Sequence, residues 1–132
     1  MNVVIIGASG YSGAELASLV AKHPTLSLTG CYVSAQSLDK HKLLSELYPE
    51  HLGLLDLPLQ PLNEHALADI THSADYVCLC TDHKVSVDLA PQFLAMGKKV
   101  FDLSGGYRLA SNDDYVTYYG FEHQHPELLN EA

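Results

Sequence analysis

The chain has 132 residues, 47% hydrophobic and 17% charged, which gives room for one globular domain and excludes a disordered or fibrous protein. Sixteen acidic residues against seven basic ones leave a net charge of -9; this repels a phosphate backbone except at a locally prepared site, so no nucleic-acid partner is expected. The longest apolar runs, residues 1–8 and 76–80, fall far short of a membrane span, and no basic segment precedes an apolar stretch; the expectation is a cytoplasmic protein with no membrane partner.

In chain order, Asn2-Val-Val-Ile-Ile-Gly7 is a β-branched apolar run closed by glycine, the pattern of a first strand buried on both faces. Over residues 11–22, Ala14, Leu16, Ala17, Leu19, Val20 and Ala21 suit a helix packed on a sheet, and His23-Pro24 stops it. Residues 26–33 alternate apolar and polar side chains and predict a second strand. Residues 39–48 repeat Leu43, Leu44 and Leu47 at helical spacing before Pro49. The stretch 49–61 holds three prolines and Gly53 and is expected to be a loop, with a short third strand at 52–55. Asn63 can cap a helix running through Ile70; residues 74–80 form a fourth strand, 85–96 a helix closed by a left-handed Gly97, and 99–103 a fifth strand. After Leu109 the alternation gives way to a polar, tyrosine-rich segment leading to a helix at 126–131. A chain that stops one turn into a helix, five strands into a fold that usually has six, is expected to be part of a longer protein, with residues 1–132 forming one domain.

Strands alternating with helices predict an α/β fold: a doubly wound, mainly parallel sheet with helices on both faces, carrying its ligand at the carboxyl ends of the strands. The loop after the first strand, Gly7-Ala-Ser9-Gly10-Tyr11-Ser12-Gly13, is a G-x-x-G-x-x-G between strand and helix, the glycine turn of a Rossmann-type dinucleotide site. The first glycine permits the sharp turn, the second lets backbone approach a pyrophosphate, and the third packs helix on strand; Ser9 and Ser12 add hydroxyl donors. The alternative is a tight turn without a ligand. An NAD-preferring site places an acidic residue about 20 positions beyond the glycines, where this chain has Ser34-Ala-Gln-Ser37. Ser34 and Ser37, with Lys40 or Lys42 for charge, would favour the 2'-phosphate of NADP; otherwise these serines only shape a turn.

Two more loops fall on the same edge: Thr81-Asp82-His83-Lys84 after the fourth strand and Ser104-Gly105-Gly106-Tyr107-Arg108 after the fifth. Thr81, His83, Ser104 and Gly105 are therefore expected beside the cofactor, and Arg108 could clamp a phosphate or carboxylate. Against this, His83 could simply start a helix, and Arg108 could pair at the surface with Asp113 or Asp114. Cys31, Cys78 and Cys80 read as buried small hydrophobes rather than nucleophiles, and the histidines show no metal-ligand spacing. A short-chain dehydrogenase would need Tyr-x-x-x-Lys, and no tyrosine here has lysine four residues on.

The blocks GASGYSGAEL at 7–16 with His23-Pro24, VSAQS at 33–37, FDLSGGYRL at 101–109 and YYGFEHQHPELL at 118–129 together resemble the N-terminal domain of the N-acetyl-gamma-glutamyl-phosphate reductase family of arginine biosynthesis. The resemblance implies NADPH-dependent reduction of a small acyl phosphate to an aldehyde through a cysteine thioester, in a homo-oligomeric parent, with Arg108 on the substrate phosphate. That family's catalytic cysteine lies in a Pro-Gly-Cys motif absent from these residues, so no catalytic residue is expected in this chain and the fragment alone should be inactive. Many members read Pro-His-Gly where Asp82-His83-Lys84 stands. The rivals are an aspartate-semialdehyde dehydrogenase-like domain, against which the last block argues, and a stand-alone NADP-binding sensor.

Overall fold

The apolar run at the N-terminus becomes β1 (Asn2–Ile6), the middle strand of a sheet in the computed structural model, which describes residues 1–103. The expectations for Ser104, Gly105, Arg108 and the segments beyond them lie outside the described residues. Then follow α1 (Tyr11–Lys22), β2 (Ser27–Ser34), α2 (Leu44–Leu47), a 3-10 turn (Pro49–His51), β3 (Leu59–Leu62), α3 (Glu64–Ser73), β4 (Tyr76–Leu79), α4 (His83–Ala95) and β5 (Lys99–Asp102). The strand order is β3-β2-β1-β4-β5 and each pairing is parallel.

Side chains alternate across a strand, and β1 shows where its two faces go. Val3 and Ile5 join one core with Ala14, Ala17 and Val20 of α1 and Leu44 of α2. Val4 and Ile6 join another with Ala66 and Ile70 of α3 and Ala90 and Phe93 of α4. Helices therefore cover both faces, and the α/β doubly wound expectation holds. Asn63 Oδ1 accepts the Ala66 N–H at 2.9 Å as the cap of α3, and Gly97, at φ 77°, closes α4.

Two local expectations are corrected. The helix placed at 39–48 shrinks to four residues, Leu44–Leu47, because the incoming third strand claims the backbone before it. His41 N–H donates to the Leu59 carbonyl at 2.6 Å and Leu59 N–H to the Lys42 carbonyl at 2.7 Å. The third strand is Leu59–Leu62, not 52–55. Residues 52–54 turn instead, with Gly53 at φ 86° and its N–H held by the Asp56 carboxylate at 3.1 Å, and this turn delivers Leu55 into the core. Pro61 is tolerated in β3 because the strand lies at the sheet edge, where a missing N–H costs no ladder bond.

Candidate functional site

From β1 the chain winds outward to β2 and β3, then crosses back to build β4 and β5 on the other side of β1. A crevice opens where those directions diverge, at the carboxyl ends of β1 and β4. It has a volume of about 330 Å³ and is lined by Ile6, Gly7, Ser9 and Gly10, by Val33, Ser34 and Ser37 at the end of β2, and by Leu62 of β3. Cys80, Thr81 and Asp82 after β4, with Val85 and Leu89 of α4, complete it. Of the sequence-predicted residues, Gly7, Ser9, Gly10, Ser34, Ser37 and Thr81 are thus brought together.

The three glycines of the turn differ in what demands them. Gly7 has φ 83°, and a Cβ there would lie 2.5 Å from the Cys80 carbonyl oxygen. On Gly13 a Cβ would overlap the Gly7 carbonyl oxygen and lie 2.8 Å from the Ala8 Cα. Both positions are required by the chain's own packing. Gly10 is different: it is extended, at φ -78° and ψ 167°, and the nearest atom to a Cβ there is the Gly7 carbonyl oxygen at 3.9 Å, ordinary contact. Nothing in the described protein excludes a side chain at Gly10, which is exposed on the cleft.

Gly10 is also the N-cap of α1, a helix with neither a side-chain cap nor an acidic residue in its first turn. Its leading N–H groups and the positive end of its dipole are left for an outside acceptor. By contrast α3 carries its own cap at Asn63 and Glu64 in its first turn. Ser12 is exposed and Tyr11 more so, at 84%, its ring edge-on to that of Tyr48; neither lines the crevice.

At the end of β2, Ser37 N–H donates to the Ser34 carbonyl at 2.9 Å, while the Ser34 hydroxyl bonds Gln36 Oε1 at 3.0 Å and Ser37 Oγ accepts the Asp39 N–H at 3.1 Å. The serines therefore do shape a turn. The two lysines separate here: Lys40 Nζ lies over that turn, 3.4 Å from the Ala35 carbonyl, whereas Lys42 Nζ is paired with Asp39 at 3.3 Å. Across the crevice, Thr81 Oγ1 and Ser86 Oγ are 2.7 Å apart at the start of α4, whose first residue is His83.

Burial pushes the Cys31 thiol up to about 12, and burial with Cys78 and Asp102 pushes Cys80 up to about 11; burial also raises Cys78. All three are free thiols held protonated at neutral pH, poor nucleophiles although Cys80 faces the crevice. Among the described residues no group of His, Cys, Asp or Glu could hold a metal ion, and no helix is long and apolar enough to cross a membrane.

Residues 2–132 match the family model of the semialdehyde dehydrogenase NAD binding domain. The chain belongs to that family. This NAD-binding domain is 58% identical over 131 residues to the N-acetyl-gamma-glutamyl-phosphate reductase of Pasteurella multocida, covering 99% of this chain and 39% of the relative. To the enzyme of the same name from Tolumonas auensis it is 56% identical over 132 residues, covering 100% and 39%. The domain thus spans about 39% of the length of these curated relatives. A solved structure of aspartate semialdehyde dehydrogenase with NADP from Candida albicans shares its fold, with a TM-score of 0.63 at 18% identity over 92% of this chain and 40% of that one.

The sequence reading missed the apolar wall of the crevice. Val85 and Leu89 stand four residues apart on α4, a spacing that could have marked them as one face. Leu62 was hidden by the misplaced third strand.

Proposed function

We propose that this domain binds NADPH for a longer acyl-phosphate reductase that converts N-acetyl-glutamyl phosphate to N-acetyl-glutamate semialdehyde in arginine biosynthesis, in the cytoplasm. The observation that carries the binding reading is Gly10: its own protein leaves room for a side chain, so the absence of one is explained by a ligand whose phosphates must approach the backbone. The uncapped start of α1 beside it supplies donors for the same anion.

In this reading Gly7, Ser9, Gly10, Tyr11, Ser12 and Gly13 form the pyrophosphate turn. Ser34 and Ser37 take the 2'-phosphate, with Lys40 rather than the already paired Lys42 supplying charge. Thr81 and His83, with Ser104 and Gly105, border the nicotinamide, and Arg108 takes the substrate's phosphate. Bound NADPH supplies the hydride. The residues of this chain bind and orient it, and the acyl-accepting nucleophile is assigned outside them, since all three thiols here are held protonated. Identity of 56–58% to enzymes named for this reduction supports it over the aspartate-semialdehyde dehydrogenase reading, whose likeness at 18% identity is one of fold.

Calorimetric titration of this chain tests the proposal: NADPH should bind at least about tenfold tighter than NADH, a difference of about 1.4 kcal/mol, and no acyl-phosphate reduction should follow. Equal affinities, tighter NADH binding, or turnover by the chain alone would refute it.

A further inference from the structure

One hydrogen bond reaches across 39 residues into the glycine turn: the Tyr48 hydroxyl donates to the Ser9 carbonyl at 2.7 Å. Tyr48 follows α2 directly, and its ring meets that of Tyr11 edge-on, with centroids 5.9 Å apart and planes at 68°. The residues after it run beside α1, where His51 Nε2 comes within 4.0 Å of Glu15 Oε1. Burial, with Tyr11, Glu50 and Asp39 nearby, raises the Tyr48 hydroxyl above the ordinary tyrosine value, so it remains a donor through the neutral range.

The consequence for the turn follows from peptide geometry. In a trans peptide the carbonyl and the following N–H point in opposite directions within one plane. Holding the Ser9 carbonyl therefore fixes the Gly10 N–H and the entry to α1. That N–H has only a long bond of its own, 3.4 Å to the Gly7 carbonyl, too weak to hold the plane alone. Gly10, without a Cβ, offers little resistance to rotation. Tyr48 is not among the residues that line the crevice, and its hydrogen bond commits the Ser9 carbonyl to a partner outside that lining. A rotated plane would bring that oxygen's partial negative charge round to the face where phosphates are to lie.

We propose that Tyr48 is a positioning residue for the dinucleotide: its hydroxyl holds the Ser9–Gly10 peptide in the orientation that presents the glycine turn to the pyrophosphate. The proposal rests on the NADPH reading above, and Tyr48→Phe tests it because phenylalanine keeps the ring and its contact with Tyr11. Amide hydrogen exchange of the ligand-free chain should accelerate over residues 8–14 while β1 and β4 stay as protected as before. NADPH dissociation constants, measured by calorimetry where both proteins are folded, should rise about 2–12-fold, the scale of one lost hydrogen bond. A merely structural tyrosine would speed exchange across the whole sheet and leave affinity unchanged, and that result overturns the proposal. So does weakened binding with an unaltered turn, or an altered turn with unweakened binding. If the unmodified chain binds no NADPH, the functional reading fails instead, and exchange in the ligand-free turn then reports separately whether the tyrosine holds the loop.

Discussion

Replacing Gly10 by alanine separates what the fold needs from what a ligand needs. Alanine can adopt φ -78° and ψ 167° without strain, and its Cβ would meet nothing closer than the Gly7 carbonyl oxygen at 3.9 Å. The unfolded chain loses entropy, worth about 0.4–1 kcal/mol in favour of folding, while alanine is the poorer N-cap by about 0.5–1 kcal/mol. These nearly cancel, so the unfolding midpoint should move by less than about 5 °C. The methyl group, however, occupies the space through which phosphates approach the backbone, and NADPH should bind about 30–100-fold more weakly, a loss of about 2–3 kcal/mol. Gly13→Ala is the control: its Cβ would overlap the Gly7 carbonyl, so it should destabilise the chain by about 1–3 kcal/mol, the usual cost of overpacking. Thermal melts followed by calorimetry decide the matter. Undiminished NADPH affinity in Gly10→Ala would show that the glycine does not serve a ligand, and an unfolded variant would refute the steric argument itself.

Lys40→Ala should weaken NADPH about 5–10-fold without affecting NADH, whereas Lys42→Ala should change little because its ammonium is engaged by Asp39; equal effects in paired titrations would undo the distinction. In the longer protein, Arg108→Lys should impair use of the acyl phosphate and spare NADPH affinity, and the reverse pattern in steady-state kinetics would make Arg108 a cofactor ligand. The Cys31 thiol, raised from 9.0 to about 12 by burial, keeps its proton in the folded state. Its contribution to stability is therefore intact below pH 9.0 and lost as pH climbs towards about 12. Urea melts between pH 8 and pH 11 should show this alkaline loss, and a Cys31→Ala variant should show less of it; identical slopes would place the thiol in water.

Much of the fold was legible because it is written in local patterns. The β-branched run at 2–6, the helical spacing in 11–22, the Asn63 cap and the left-handed Gly97 each depend on neighbours a few residues away, and each stands as expected. The order of strand, glycine turn and helix likewise puts Gly7, Ser9 and Gly10 at one strand end from the sequence alone. Residues 39–62 resisted the same reading. Leucines at helical spacing there serve a turn, a single helical turn and a buried loop, and which leucine goes where depends on His41, Lys42 and Leu59 exchanging backbone hydrogen bonds across some 17 positions. Only the tertiary structure could decide that, and only it could show that Gly7 and Gly13 answer to atoms of this chain while Gly10 does not. The motif spells all three with the same letter. Their difference lies in the distances from an absent Cβ to Cys80, Ala8 and the Gly7 carbonyl, and the clamp from Tyr48 to Ser9 is equally non-local: local propensity is carried by the order of residues, but the contacts that constrain a turn from outside exist only once the sheet has brought its ends together.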